Sequence, residues 1–415
     1  MISTLFLPLY IDPGTGSMLF SVFIGIIATL FFLAKAAWLK LKLLFSRKKG
    51  ITASSSDKKN FVIYNEGKQY WSVFKPVLDA FEKRKTQITY LTSYKDDEVF
   101  KQNYSFVESE CIGEGNMAFA RLNLLSANIV LMTTPGLNVY QMKRSKNVKH
   151  YAHLRHGSGD ATMYRLFGID YFDSILLTGD YQAADIRQLE KQRNTKEKEL
   201  ITVGCTYLDY LNEKILSIPK EDKHDFTVLL SPSWGPSAIL SKYGEKLLDP
   251  LVQTGWKIII RPHPQSKKSE KDMLDKLMQK YNDTNNVEWN FDTDNIFVMK
   301  KADIMISDFS SIIYDYTFLC NKPVIYANTE LDLRPYDAYD LNKKIWQFET
   351  IEKIGIKLEE KDFSNIKEII RNASDSEDLA KKRLQAKSEA WMYQAEAGER
   401  VADFMIKKEQ ELQEV

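Results

Sequence analysis

The sequence predicts an α/β protein of two doubly wound parallel-sheet domains behind an N-terminal transmembrane helix. Three observations predict it: an almost wholly apolar run at residues 17–39, strand-like runs alternating with helical patterns over 61–203, and a restart of that alternation at 226. Strands that alternate with helices imply parallel sheet, and two such series imply two domains. The implied boundaries are 1–50 for a membrane anchor, 60–220 and 225–375 for the two domains, and 376–415 for a helical tail.

The anchor comes first. Residues 17–39 carry a single charge, Lys35, and their length is close to the roughly 20 residues that an α-helix needs to cross a hydrocarbon core. No Lys or Arg precedes the run, which argues against a cleaved signal peptide. Lys40, Lys42, Arg47, Lys48 and Lys49 follow it, so the positive-inside rule places the body of the chain in the cytoplasm and residues 1–16 outside. The expected location is the plasma membrane, crossed once. An in-plane interfacial helix, with Trp38 and the lysines at head-group level, is the rival reading. Residues 50–59 (GITASSSDKK) are a polar linker.

Beyond the linker, strand-like runs are expected at 61–64, 88–92, 104–107, 129–133, 151–154, 172–178 and 200–203, with helices at 69–83, 116–125 and 181–191. In the second series strands are expected at 226–231, 257–261, 287–289, 303–307 and 323–326, and helices at 237–253, 270–281, 295–300 and 310–320. The tail, 377–412, is rich in Ala, Glu, Lys and Leu and reads as long helix. Doubly wound domains bind ligands at the carboxyl ends of their strands, so a cleft between two of them suits a transferase.

Composition narrows the function. Apolar residues make up 44 % of the 415 and charged residues 27 %, as in ordinary globular proteins, and the net charge of +1 supplies no field that would draw nucleic acid. Cys111, Cys205 and Cys320 are scattered, which suggests neither a disulfide framework nor a zinc finger. Walker A, GxGxxG and GxSxG patterns are absent from the sequence, against a P-loop kinase, a dinucleotide enzyme or an α/β-hydrolase.

Three segments carry candidate chemistry, each where an expected strand ends. The first is His150-x-x-His153-x-x-His156-Gly157-Ser158-Gly159-Asp160. On a strand His150 and His156 share a face while His153 points away, so the three do not make a metal site. His156 stands at the turn, where flanking glycines let backbone approach a substrate, and it can act as general base. A histidine satisfying loop carbonyls is the bland alternative. In the second segment, Arg261-Pro262-His263-Pro264, the prolines lack N–H donors and leave the Arg and His side chains to meet an anion. In the third, Ser307-Asp308-Phe309-Ser310-Ser311 opens a helix whose N-terminal dipole favours phosphate. Asp315, four residues after Ser311 on the same face, is placed to hold a ribose beside it. Such residues also serve as ordinary helix caps. Asp292-Thr293-Asp294 precedes a helix and reads as a cap rather than a metal motif, and Trp234 reads as rim or core packing before base stacking.

Together the three segments resemble the CDP-glycerol glycerophosphotransferase family. The stretch ADIMISDFSSIIYDY from Ala302, continued by Asn321-Lys-Pro-Val-Ile-Tyr326, looks like the family's "aDvlItDYSSvmfDya…kPiifY" block. Arg261-Pro262-His263-Pro264 is similar to its "RxHP" block, His156-Gly157-Ser158 to its "HGT" block, and Gly204 with Leu208-Asp209 to an interdomain Gly-x-Pro-x-x-Asp turn. The resemblance implies two Rossmann-like domains of the GT-B glycosyltransferase type, with the nucleotide donor on the second and no metal or cofactor. It implies a CDP-activated polyol donor, a lipid-linked or polymeric membrane acceptor, and release of CMP. By carry-over, His156 is the base, His263 and Arg261 steady the donor pyrophosphate, and Ser310 and Ser311 bind its phosphate. Asp308 and Asp315 lie at the donor ribose or phosphate, and Gly157, Ser158 and Asp160 form the acceptor loop. The chain departs from the family at Gly159-Asp160-Ala161, where Pro-Leu-Lys is usual. Competing readings are a GT-B glycosyltransferase or sugar-nucleotide epimerase using a UDP- or CMP-sugar, and a silent membrane scaffold, against which His156 and His263 together argue.

The charge pattern makes a topological prediction. Protease applied to intact cells is expected to spare the body of the chain, and cleavage of the His156 or His263 segment from outside would overturn the cytoplasmic assignment.

Overall fold

The computed structural model describes residues 26–27, 29–31, 33–35, 58–219, 225–327 and 329–414, in two compact units, 1–58 and 59–415. In the first unit residues 26–27, 29–31 and 33–35 are helical, with Ile26, Ile27, Leu30, Phe31 and Leu33 exposed. The remainder of the 17–39 run, its basic flank and nearly all of the 50–59 linker lie outside the described residues. Among the described residues no helix is long and apolar enough to cross a membrane.

The second unit contains two wholly parallel sheets. The first comprises β1 (Lys59–Asn65), β2 (Ile88–Thr92), β3 (Val107–Cys111), β4 (Ala127–Met132), β5 (Val148–Leu154), β6 (Ser174–Leu177) and β7 (Glu199–Thr202), in the order β3-β2-β1-β4-β5-β6-β7. The second comprises β8 (Thr227–Leu230), β9 (Lys257–Ile260), β10 (Val287–Trp289), β11 (Ile304–Ser307), β12 (Val324–Ala327) and β13 (Gly355–Leu358), in the order β10-β9-β8-β11-β12-β13. Each order reverses once, between β1 and β4 and between β8 and β11. Registers there are Val62↔Val130 and Leu230↔Ile306. Crevices at such reversals are where parallel sheets bind ligands.

Helices cover both faces, which is why most strands are apolar throughout instead of alternating. Around the first sheet Phe61 and Ile63 face one core with Phe74, Val77 and Phe81, while Val62 and Tyr64 face another with Leu122, Tyr151 and Ile175. The second sheet is likewise flanked by two cores, one with Val228, Leu247 and Ile258, the other with Leu229, Ile259 and Tyr316.

Four expectations about elements change. The third strand lies at Val107–Cys111, not 104–107, because Tyr104 turns its hydroxyl to Asp79 at 2.6 Å and the following V-E-S-E-C alternates half-buried and exposed as an edge strand does. The helix expected at 237–253 is two, Ile239–Tyr243 and Glu245–Val252, broken at Gly244 with φ 44°. β13 is a short strand that the pattern did not signal. The tail is also two helices, Glu377–Ala390 and Ala397–Gln413, separated where Tyr393 and Ala395 adopt φ of 53° and 65°.

That break lets the chain cross back. Ala386, Ala390 and Trp391 pack on the second sheet's core, whereas Val401, Ala402, Phe404 and Met405 join the first sheet's. The crossing is held by Asp209, whose carboxylate accepts the Trp391 indole N–H at 2.8 Å and the Ala395 and Ala397 main-chain N–H at 2.9 and 3.0 Å. Met392 N–H also donates to the Thr178 carbonyl at 3.1 Å. Gly204 lies beneath with φ 94°, and a Cβ there would stand 2.5 Å from the Met392 carbonyl oxygen. Both the backbone conformation and the space demand glycine. Gly204→Ala is therefore expected to lower stability by about 1–3 kcal/mol, read as a reduced denaturant midpoint; an unchanged midpoint would show that the crossing yields freely.

Candidate active site

The three motif segments occupy the carboxyl ends of their parallel strands. β5 runs into His156, β9 into Arg261 and His263, and β11 into Asp308–Ser311. The other two histidines of the first motif belong to the fold. His150 Nε2 lies 2.8 Å from the Ser174 hydroxyl, and His153 is fully buried edge-on to Tyr164 and Phe172.

His156 is partly exposed. Its Nδ1 lies 2.9 Å from the Thr133 hydroxyl, just past β4, and 3.0 Å from the Tyr164 hydroxyl; the Tyr70 ring packs 5.2 Å away. Burial, then the adjacent Arg155 charge, push its pKa down to about 3, opposed by a hydrogen bond to the Thr133 main chain. The imidazole is neutral at physiological pH. Arg155 is buried, with its guanidinium over the Tyr164 ring at 4.5 Å and one nitrogen donating to the Gly159 and Asp160 carbonyls.

The rest of this loop meets the second domain. The Ser158 hydroxyl donates to Asp315 at 2.8 Å, and the Tyr207 hydroxyl donates to the same carboxylate at 3.2 Å. Asp160 accepts the Gln347 main-chain N–H at 3.1 Å while its own N–H donates to the Gln347 side chain at 3.2 Å. Gly159 faces Ser311, whose Cβ would lie 3.6 Å from a Cβ added there. Of this loop's two glycines, Gly157 borders open space. Ser158 and Asp160, expected in an acceptor loop, and Asp315, expected near a ribose, are thus engaged with one another's domains. Sequence position could not reveal this, because the partners are 157 and 187 residues apart.

On the second domain, Asp308 is buried and its carboxylate accepts main-chain N–H groups of Ser233, Ile239 and Ser310. Those bonds shape the loop after β8 around the start of the Ile312–Cys320 helix and leave the carboxylate little capacity for a ribose. Ser310 and Ser311 precede that helix, and their hydroxyls make no hydrogen bond among the described residues. Arg261 donates to Asn290 at 2.6 Å. His263 Nδ1 accepts the Gln265 main-chain N–H at 3.1 Å, so in the neutral ring Nε2 carries the proton and can donate it. Burial lowers the pKa of His263, against the pull of Glu270. Trp234 is about half exposed, its ring 6.3 Å from that of His263. Asp294 accepts the Ile296 N–H at 2.9 Å just before the Ile296–Lys301 helix, and Asp292 accepts from Asn290.

A continuous band results: His156 and the loop to Gly159, then Ser311, Ser310 and Asp308, then Ser233 and Trp234, then His263. It offers a neutral imidazole at one end and hydroxyls, an imidazole N–H and a guanidinium at the other. Thr133, Tyr164, Gln347 and Asn290 were not singled out from the sequence.

The family model described as CDP-Glycerol:Poly(glycerophosphate) glycerophosphotransferase matches residues 54–407. The chain belongs to this family. It is accordingly a glycerophosphotransferase, and the family's reaction is transfer of glycerol phosphate from CDP-glycerol. At the level of sequence no curated protein matches it. Among solved structures, the wall teichoic acid polymerase TagF, from a soak with CDPG, is 15 % identical with a TM-score of 0.53, covering 92 % of this chain and 98 % of its own. The Methanocaldococcus jannaschii UDP-GlcNAc 2-epimerase, in complex with UDP-GlcNAc and UDP, is 12 % identical with a TM-score of 0.52, covering 84 % and 99 %. At these identities the likeness establishes the fold, two Rossmann-like domains of GT-B type, as the sequence resemblance implied.

The buried carboxylates give this glycerophosphotransferase a pH signature. Burial raises both Asp160 and Asp315 to about 6. Each binds its proton more tightly folded than unfolded, so its stabilising contribution is complete below about pH 4 and lost as pH rises through about 6. Asp315→Asn removes one of these groups. Relative to wild type, the variant is expected to gain about 1–3 kcal/mol in unfolding free energy between pH 4 and pH 7; a pH-independent difference would refute the assignment.

Proposed function

We propose that this glycerophosphotransferase passes glycerol phosphate from CDP-glycerol to a lipid-linked or polymeric acceptor at the cytoplasmic membrane surface, with His156 as its base. The observation that carries the reading is the packing of Gly159 on Ser311, which sets the His156 loop against the helix start bearing Ser310 and Ser311. In this mechanism the acceptor hydroxyl gives its proton to His156 Nε2 as its oxygen attacks the β-phosphorus. The bond from that phosphorus to the bridging oxygen breaks, CMP leaves with the bridging oxygen, and a phosphodiester forms. Arrival of the anionic donor raises the basicity of His156 and so offsets the effect of burial and of Arg155.

The second domain holds the donor. Ser310 and Ser311 bind phosphate at the positive end of their helix, and Arg261 and His263 steady the pyrophosphate. The bond from Gln265 N–H to His263 Nδ1 supports a donating role for that ring, because it leaves the proton on Nε2. Positioning and charge stabilisation are the main demands of phosphoryl transfer, and these groups meet them. The apolar 17–39 run and its lysines support a membrane-held acceptor. Gly157, next to His156 and open to the cleft, is where that acceptor enters.

Incubation with a panel of CDP- and UDP-activated donors tests the chemistry. CMP release with a phosphodiester product is expected, and a glycoside product would overturn the reading. Single-turnover kinetics and donor calorimetry then separate the histidines. His156→Ala is expected to slow turnover by roughly a hundredfold or more with donor affinity intact. His263→Ala is expected to weaken donor binding by about 1.5–3 kcal/mol. A folded His156→Ala enzyme with full turnover would refute its role as base. Asp160, next in the loop, would be poorly placed to replace it, since it is buried against Gln347.

A further inference from the structure

Tyr164 has no part in the reaction as described, yet its hydroxyl lies 3.0 Å from His156 Nδ1. An imidazole base must keep the Nε2 lone pair toward its substrate, which requires the proton on Nδ1 and an oxygen to receive it. A ring with one such partner can still turn about its Cβ–Cγ bond. Two hydroxyls, those of Thr133 and Tyr164, together with the Tyr70 ring, restrict the plane of the imidazole, and each oxygen can accept a proton held on Nδ1.

Tyr164 is itself tightly held. It is buried, with the Arg155 guanidinium over its ring at 4.5 Å and the His153 ring edge-on at 5.0 Å. Its carbonyl accepts the Asp337 main-chain N–H at 2.9 Å. Asp337 stands in the segment between β12 and the Trp346–Ile354 helix, which leaves the second domain to dock on the first. There its carboxylate receives the Phe167 N–H at 2.7 Å and pairs with Arg193 at 2.8 Å, and Pro335 accepts the Leu166 N–H at 3.1 Å. Burial raises the phenol to about 12, so the group remains a neutral hydroxyl.

We propose that Tyr164 is a positioning residue that fixes the Nδ1–H tautomer and the orientation of His156, its own place being set by the docked segment of the second domain. The base is thereby oriented only when the donor domain is seated. The inference rests on the reading of His156 as base, but its test does not depend on that reading alone.

The experiment uses full-length protein labelled with 15N-histidine, with magic-angle-spinning spectra and steady-state kinetics for wild type, Tyr164→Phe and His156→Ala. The His156→Ala spectrum identifies the His156 signals by difference. Wild type is expected to show a protonated Nδ1 and an unprotonated Nε2. In Tyr164→Phe these signals should shift toward a mixture of tautomers, while kcat falls about tenfold, as the loss of one hydrogen bond implies, with the KM for CDP-glycerol unchanged. If Tyr164→Phe folds poorly, 3,5-difluorotyrosine encoded at Tyr164 keeps the ring and alters only hydroxyl strength, and it should move the same signals. A wild-type spectrum with the proton on Nε2, or His156 signals unmoved in both variants, would overturn the proposal. Loss of the tautomer with no loss of kcat would leave the positioning intact and count instead against His156 as base.

Discussion

Everything proposed for this protein requires two domains held at one spacing, and the spacing depends on how a few buried or half-buried polar groups bridge them. Asp209 gathers three N–H donors from the chain where it crosses between domains, and Asp315 receives two hydroxyls from the opposite side. Bonds of this kind contribute modestly to net stability, because water would otherwise serve the same groups. Their value is geometric. A buried carboxylate that loses its donors is strongly penalised, so the bridged arrangement is favoured over any in which the partners slide apart.

The same economy of groups recurs within the cleft. Asp308 organises the loop after β8 and the start of the Ile312–Cys320 helix through a single side chain. Arg193, on the first domain, answers Asp170 from its own domain and Asp337 and Asp340 from the second. The acidic residues of the motifs are therefore largely internal scaffolding, whereas the hydroxyls of Ser310 and Ser311 have no hydrogen-bond partner among the described residues. Among the described residues, that division fits a site for an anionic donor, in which exposed carboxylates would repel the ligand.

Most of the architecture was legible because parallel strands announce themselves as short apolar runs and their carboxyl ends as polar punctuation. The places of Arg261, His263, Ser310 and Ser311 just past strand ends were readable for that reason. β3 was not, since V-E-S-E-C pairs along only one side and half-buries only every second residue. The environment of His156 was also illegible. Thr133 and Tyr164 are ordinary residues in the sequence, and only the pairing of β4 with β5 and the turn after β5 bring their oxygens to one nitrogen. Ser158 and Asp160 show the same limit: a loop residue looks available to a ligand until the domain that covers it is known.

The returning helix has a consequence for the order in which the protein can assemble. Val401, Ala402, Phe404 and Met405 complete one face of a core whose other members begin at Phe61. A ribosome makes chain from the N-terminus, so the first sheet emerges long before the residues that close it. That face stays uncovered through synthesis of the entire second sheet. The later domain, whose cores draw on residues 205–391, can be finished first. Birth order and folding order can thus be reversed, and the interval before the first core closes leaves apolar surface open to wrong partners.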